Sequence, residues 1–168
     1  KQQLGTAHAV LQALPYIPDD AKILILSGDV PLIKTSTLEK LISTTHALCL
    51  LTANIVNPYG LGRIVRNGSG DIINIVEEKD ASYCEKEIHE IYSGICAGFA
   101  QDFKRVLPLI KPHNAQQEFY LTDMVAIAMQ HKISINAQTV EDEIEIIGVN
   151  THNQLITLER YVQQQQAA

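Results

Sequence analysis

The run Ile23-Leu24-Ile25-Leu26 breaks directly into Ser27-Gly28-Asp29-Val30-Pro31. An apolar strand thus carries one carboxylate, on a glycine turn, to the edge of a sheet. Sheets of the α/β class bind ligands beyond the carboxyl ends of their strands. A single carboxylate there suits a divalent cation held against substrate phosphates. Far downstream, Ile144 to Val149 reads as a second strand ending at Asn150, another oxygen ligand just ahead of a helix. Asp29 can also be an ordinary turn aspartate and Asn150 an ordinary helix cap; the pair carries more weight than either residue.

Other groups could complete such a site. Gly5-Thr6 opens a helix whose N–H groups favour anions and polar ring edges, with Thr6 as the expected N-cap. Gly60-Leu61-Gly62-Arg63 is either a tight turn or a place where Gly62 offers its main chain to a ligand. Glu77 ends a strand, ahead of the charge run Glu78-Lys79-Asp80, and can accept from sugar hydroxyls. Tyr120 and Thr122 bring two hydroxyls to a helix start. There is no GxSxG elbow, P-loop or GxGxxG, so nucleophilic serine catalysis has no support.

The elements that position these groups follow from periodicity. Helices are expected after Gly5, over Ser36–Ile42 behind a Ser36/Glu39 capping box, over Glu118–His131, and after a Thr151/Gln154 cap, fraying over Gln163–Gln166. In the last helix Leu155, Leu158 and Val162 should point inward. Lys22–Leu26 and Ala47–Ile55 read as strands buried on both faces. Ile64–Arg66 and Ile72–Val76 flank the hairpin turn Asn67-Gly68-Ser69-Gly70. Glu87–Phe99, Ile133–Ala137 and Glu143–Val149 complete the strands. The class is α/β with a mixed, mostly parallel sheet and an antiparallel section.

Composition sets limits. The chain has 168 residues, enough for one domain, and a net charge of −6. An acidic chain without a basic stripe is not built for nucleic acid, and no apolar run is long enough for a membrane span. The three cysteines, Cys49, Cys84 and Cys96, form no CxxC pair, which implies a reducing, cytoplasmic setting without disulfides or zinc. The six histidines are scattered. The chain opens Lys-Gln-Gln almost on top of a motif and is expected to be part of a longer protein.

Read in order, Gln3-Leu4-Gly5-Thr6-Ala7-His8-Ala9, Gly28-Asp29-Val30-Pro31-Leu32, Pro58-Tyr59-Gly60-Leu61-Gly62-Arg63-Ile64, Ile75-Val76-Glu77-Glu78-Lys79-Asp80-Ala81, 114–123 and Gly148-Val149-Asn150 resemble the bacterial sugar-nucleotide pyrophosphorylases. Within that family the resemblance is to uridyltransferase domains. It implies a Rossmann-like nucleotidyltransferase fold that joins UTP and N-acetylglucosamine 1-phosphate into UDP-N-acetylglucosamine and pyrophosphate, a cell-wall and lipopolysaccharide precursor. It also implies Mg2+ on Asp29 and Asn150, with Asp29 the catalytic carboxylate. Gly5 and Thr6 would meet the uracil, and Ser27 and Gly28 the ribose. Gly62, Glu77, Tyr92, Tyr120, Thr122 and Asn150 would meet the sugar.

Two departures accompany the resemblance. The family's Asn-Thr-Gly is here Tyr92-Ser93-Gly94, which implies an altered sugar pocket or a tyrosine hydroxyl in the amide's place. The family's upstream Gly-rich phosphate loop and its downstream left-handed β-helix, which carries acetyltransfer and makes homotrimers, fall outside these 168 residues. The chain alone is therefore expected to turn over negligibly. Another pyrophosphorylase of the same fold, or a non-catalytic regulatory domain, remains an alternative.

Overall fold

The computed structural model describes residues 3–43 and 47–166. In chain order it contains α1 (Thr6–Ala13), β1 (Lys22–Ile25), α2 (Thr35–Ile42), β2 (Leu48–Asn54), β3 (Gly62–Arg66), β4 (Ile72–Val76), α3 (Tyr83–Lys86), β5 (Glu90–Phe99), α4 (Ala100–Val106), α5 (Met124–Gln130), β6 (Ile135–Thr139) and α6 (His152–Gln166). Tight 3-10 turns occupy Leu14–Tyr16, Leu107–Leu109, Leu121–Asp123 and Glu143–Ile146.

The apolar run of β2 alternates between two cores. Leu48 and Leu50 face a cluster with Ala7 of α1, Phe103 and Val106 of α4, and Met124, Val125 and Ala128 of α5. Cys49, Leu51 and Ala53 face the opposite cluster, with Leu41 of α2 and Ile146. A strand with apolar side chains on both faces needs cover on both sides, and β2 has a core on each.

The six strands run β4-β3-β5-β2-β6, with β1 also paired to β5. β1, β2 and β3 are all antiparallel to β5, and β6 is parallel to β2. The sheet is mixed, as expected, and four of its six strands share a direction. Among the described residues only β2–β6 is a parallel pair, because antiparallel β5 separates the co-directional strands.

The edge of β5 opposite β2 is divided. β1 pairs with Cys96–Phe99, and β3 pairs with Ile91 and Tyr92. The two strands lie end to end along one neighbour, and the carboxyl end of β1 points at the start of β3. At the junction β5 bulges: Leu50 faces Cys96 and Thr52 faces Tyr92, leaving Ser93, Gly94 and Ile95 opposite Leu51 alone. The Ser93 hydroxyl donates to the Leu51 carbonyl (2.8 Å) and accepts from the Ile95 N–H (3.2 Å), satisfying groups the ladder leaves free.

Several expectations need correction. Glu143–Val149 is not a strand. The Asp142 side chain accepts from Ile144 N (3.1 Å) and folds the segment into a 3-10 turn, while Glu145 is drawn inward to polar partners on α2. Thr6 is the first helical residue rather than the N-cap; Gly5 caps α1, and Thr6 Oγ1 accepts from Leu121 N (2.9 Å). The Ser36/Glu39 box does not form, because α2 begins at Thr35 with Lys34 as N-cap. A reciprocal capping box instead joins Ser82 and Glu85 at α3, within a stretch with no helix expected. The Thr151/Gln154 cap does form (2.9 and 3.3 Å), and α6 continues through Gln166. Leu158 is buried, but Leu155 is 39% exposed. β1 is half-buried rather than enclosed, since β5 is its single strand partner among the described residues.

Candidate functional site

The fork between β1 and β3 opens into a cavity of about 720 Å³. Thr6, Ser27, Asp29, Gly62, Glu77, Tyr92, Thr122 and Asn150 all line it. Eight residues singled out in the sequence, spread over almost the whole chain, therefore meet in one space. Gly5, Gly28 and Tyr120 are not among the lining residues.

At one end Asp29 and Asn150 converge over Gly148. A Cβ built on Gly148 would stand 3.0 Å from Asp29 Oδ2 and 3.5 Å from Asn150 Nδ2, so glycine leaves room for both side chains. Val149 N donates to the Asp29 carbonyl (2.8 Å), and Gln154 Oε1 receives Asn150 N (2.8 Å). An amide turned about its last bond presents Oδ1 instead of Nδ2. One carboxylate and one amide oxygen beside an open cavity fit an ion that retains several waters and takes further ligands from phosphate. Among the described residues no group of three or more His, Cys, Asp or Glu side chains could hold a metal, so a closed all-protein cage of such ligands is not present.

A second cluster in the cavity is built around a half-buried carboxylate, Glu77. Thr122 Oγ1 donates to Glu77 Oε1 (3.0 Å). Burial pushes the Glu77 carboxyl above its ordinary range, Thr122 opposes the rise, and Asp123 and Asp80 add to it. Gly62 lies against it, with the Glu77 oxygens 3.5 Å from where a Cβ would be. The loop ahead of β3 is fixed by Arg63, which is 2% exposed. Its guanidinium donates to Glu78 Oε2 (2.6 Å) and to the Leu61 carbonyl. Glu78 also accepts from Gly60 N (3.1 Å) and pairs with Lys86 (3.4 Å). Hydrogen bonding from Arg63, then from Gly60, holds the Glu78 carboxyl below its ordinary range.

Ser27 and Gly94 meet at the β5 bulge, where both line the cavity. Gly94 has φ 82°, and a Cβ there would lie within hard contact of the Ser27 hydroxyl. The glycine is required both by backbone conformation and by that approach. Tyr92 contributes to the cavity floor while its ring packs in the core. Its hydroxyl is buried beside the Cys96 thiol with no hydrogen-bond partner, and burial pushes that thiol up to about 12.

Two of the three residues outside the lining have other work. Gly5 packs against the Phe119 backbone, where a Cβ would come within 2.6 Å of its carbonyl oxygen. Gly28 sits in open space. Tyr120 donates its hydroxyl to Gln116 Oε1 (2.7 Å), and burial, reinforced by nearby carboxylates, pushes it up to about 12. The sequence reading missed Arg63–Glu78 and Glu145, although a charged residue within an apolar strand such as Ile64-Val65 was a usable signal. Val56 and Asn57 also line the cavity and carried no such signal.

No protein-family model matches the chain. Curated relatives do. The bifunctional protein GlmU of Legionella pneumophila (strain Corby) is 49% identical over 99% of this chain. The bifunctional protein GlmU of Marinobacter nauticus is 47% identical over 99%, and that of Francisella tularensis subsp. novicida is 51% identical over 95%. The chain spans 38%, 37% and 35% of those proteins, respectively. A crystal structure described as a glucose-1-phosphate thymidylyltransferase from Bacillus anthracis, in complex with sucrose, superposes with a TM-score of 0.65. It covers 94% of this chain and 61% of its own, at 15% identity, and so shares the fold.

Proposed function

Since the chain is homologous to part of the bifunctional GlmU proteins along 99% of its length, we propose that it forms the greater part of a nucleotidyltransferase site joining UTP and N-acetylglucosamine 1-phosphate. The products are UDP-N-acetylglucosamine, for cell-wall and lipopolysaccharide synthesis, and pyrophosphate. One observation carries this reading: Asp29 and Asn150 meet over a glycine at one end of the cavity whose other end holds Glu77 and Thr122.

In the reaction the sugar-phosphate oxygen attacks the α-phosphorus of UTP in line, a P–O bond forms, and pyrophosphate leaves with the electrons of the broken P–O bond. No protein nucleophile is needed, and catalysis is largely positioning and charge neutralisation. Asp29 and Asn150 would hold Mg2+, which supplies that neutralisation at the phosphates. Thr6 and Ser27, which line the same cavity, would meet the nucleotide. Glu77 accepts from sugar hydroxyls in its charged form, and the Thr122 hydroxyl orients it. Gly62 leaves the space that Glu77 and a ligand amide share.

The chain spans 38% of its Legionella relative, so the activity belongs to a whole protein, as do a trimeric state and cytoplasmic residence in this reading. Among the described residues no helix is long and apolar enough to cross a membrane. Full-length protein with Mg2+ is expected to form UDP-N-acetylglucosamine faster than other nucleoside triphosphates paired with other sugar phosphates form theirs. Equal or greater rates with glucose 1-phosphate or another base would overturn the assignment. Chelation of Mg2+ should abolish turnover, and the 168 residues alone should give negligible product.

A further inference from the structure

Asp29 and Asn150 sit on two irregular segments, the exit from β1 and the approach to α6. Isolated loops do not hold two ligands at a fixed spacing, yet these segments are joined twice. Beside the pair, Val149 N reaches the Asp29 carbonyl (2.8 Å). Five residues further out along each segment, Glu145 meets Lys34 and the first turn of α2. Its Oε2 accepts from Lys34 N (3.3 Å) and Thr37 Oγ1 (2.5 Å), and its Oε1 accepts from Lys34 Nζ (3.1 Å).

Glu145 is 2% exposed and Thr37 8%. Glu143 and Ile146 of the same turn line the cavity, whereas Glu145 does not. A buried carboxylate is a poor device for stability alone, since an apolar side chain of similar volume often serves as well. Its geometry serves placement: it caps the N-terminus of α2 from a distant segment and so ties the Asp29 arm to the Asn150 arm. Asp142 reinforces this from the same turn, lying 3.9 Å from Lys34 Nζ and receiving the Tyr161 hydroxyl of α6 (3.3 Å).

Resting on the reading of Asp29 and Asn150 as the cation pair, we propose that Glu145 is a positioning residue that holds those two side chains at cation-binding separation before the ion arrives. It touches neither ion nor substrate. Outer partners of ligating groups commonly change metal affinity by about 10- to 100-fold.

The test is Mn2+ binding to full-length protein, followed by electron paramagnetic resonance of the free ion, in wild type, Asp29→Asn, Glu145→Gln and Thr37→Val. Glu145→Gln keeps the volume and is expected to weaken Mn2+ by about tenfold, with Thr37→Val a smaller change in the same direction. At saturating cation the KM for sugar phosphate should be unchanged, and excess Mg2+ should restore kcat in Glu145→Gln. A residue that only stabilises the fold would lower Tm and leave the Mn2+ affinity of folded protein untouched. Wild-type affinity in folded Glu145→Gln and Thr37→Val, with binding lost in Asp29→Asn, would overturn the inference and spare the cation site. Wild-type affinity in Asp29→Asn would overturn the site, and the inference with it. If Glu145→Gln does not fold, Thr37→Val decides the matter in the same terms.

Discussion

The two ends of the cavity handle carboxylates in opposite ways. At the Asp29 end, the proposed ligand carboxylate lines the cavity, and the buried acid is a residue behind it, Glu145, matched by Lys34 and Thr37. At the Glu77 end, the cavity-lining carboxylate is itself half-buried, and a neutral hydroxyl is its hydrogen-bonding partner. Burial raises Glu77, while Glu145 is held low despite burial, by hydrogen bonds from Thr37 and Lys34. An ion demands charge in the open with rigid support behind. In the proposed reading, a sugar hydroxyl meets an acceptor shielded from solvent, at the cost of a carboxylate that protonates more readily.

The greatest effect should come from Asp29→Asn, which keeps shape and removes charge. We expect kcat/KM to fall roughly 10²- to 10³-fold, about 3–4 kcal/mol, measured as UDP-sugar formation at fixed Mg2+. A loss under threefold would erase the distinction between the ends. Next, Gly94→Ala forces a left-handed backbone on alanine and drives its Cβ into Ser27. A cost of about 2–3 kcal/mol is expected in denaturant unfolding.

Thr122→Val sharpens the contrast at the sugar end. The Thr122 hydrogen bond lowers a carboxyl that burial raises, so removing it should move the acid limb of kcat/KM for sugar phosphate to higher pH. An unmoved limb would mean that Glu77 is not the titrating acceptor. Glu145 gives the converse sign in stability. Its folded value lies below the ordinary 4.5, so the unfolded chain binds the proton more readily. Its contribution is complete above about 4.5 and is lost as pH falls through the lowered folded value. Glu145→Gln should therefore flatten the acid side of a stability-against-pH curve. The smallest effect is expected from Tyr92→Phe. Losing a buried hydroxyl that has no partner should raise stability by about 1 kcal/mol and leave the KM for sugar phosphate unchanged. A raised KM would put that hydroxyl on the sugar.

Much of this was legible from residue order. The β3–β4 hairpin, the two-faced β2 strand and the Thr151/Gln154 cap follow local rules, and local rules suffice where partners are near in sequence. Asp29 stood out because it follows the apolar run of β1, whereas Asn150 was singled out at the end of a strand that does not form. Some failures were local, as with the Ser82/Glu85 box and the Asp142–Ile144 turn, but in others the deciding partner lies far away. The 143–149 segment has strand-like alternation, but Glu145 answers to Lys34 and Thr37, more than a hundred residues earlier. The α2 capping box lost to that same distant carboxylate. Arg63 and Glu78 read as surface charges until the fold places them together. The bulge at Ser93–Ile95 exists only relative to the register of β2.

That bulge constrains how the gene segment can change length. Three residues of β5 stand where β2 has one, and side chains alternate between two separate interiors. Losing a single codon there would invert every position on one side of the break, sending Tyr92 toward the core that Ile91 now fills, and Ile91 toward the other. Losing two would restore an uninterrupted ladder and draw the Ser27 and Gly94 walls out of place. Natural variation in this stretch should therefore come as substitutions, with single-residue deletions purged.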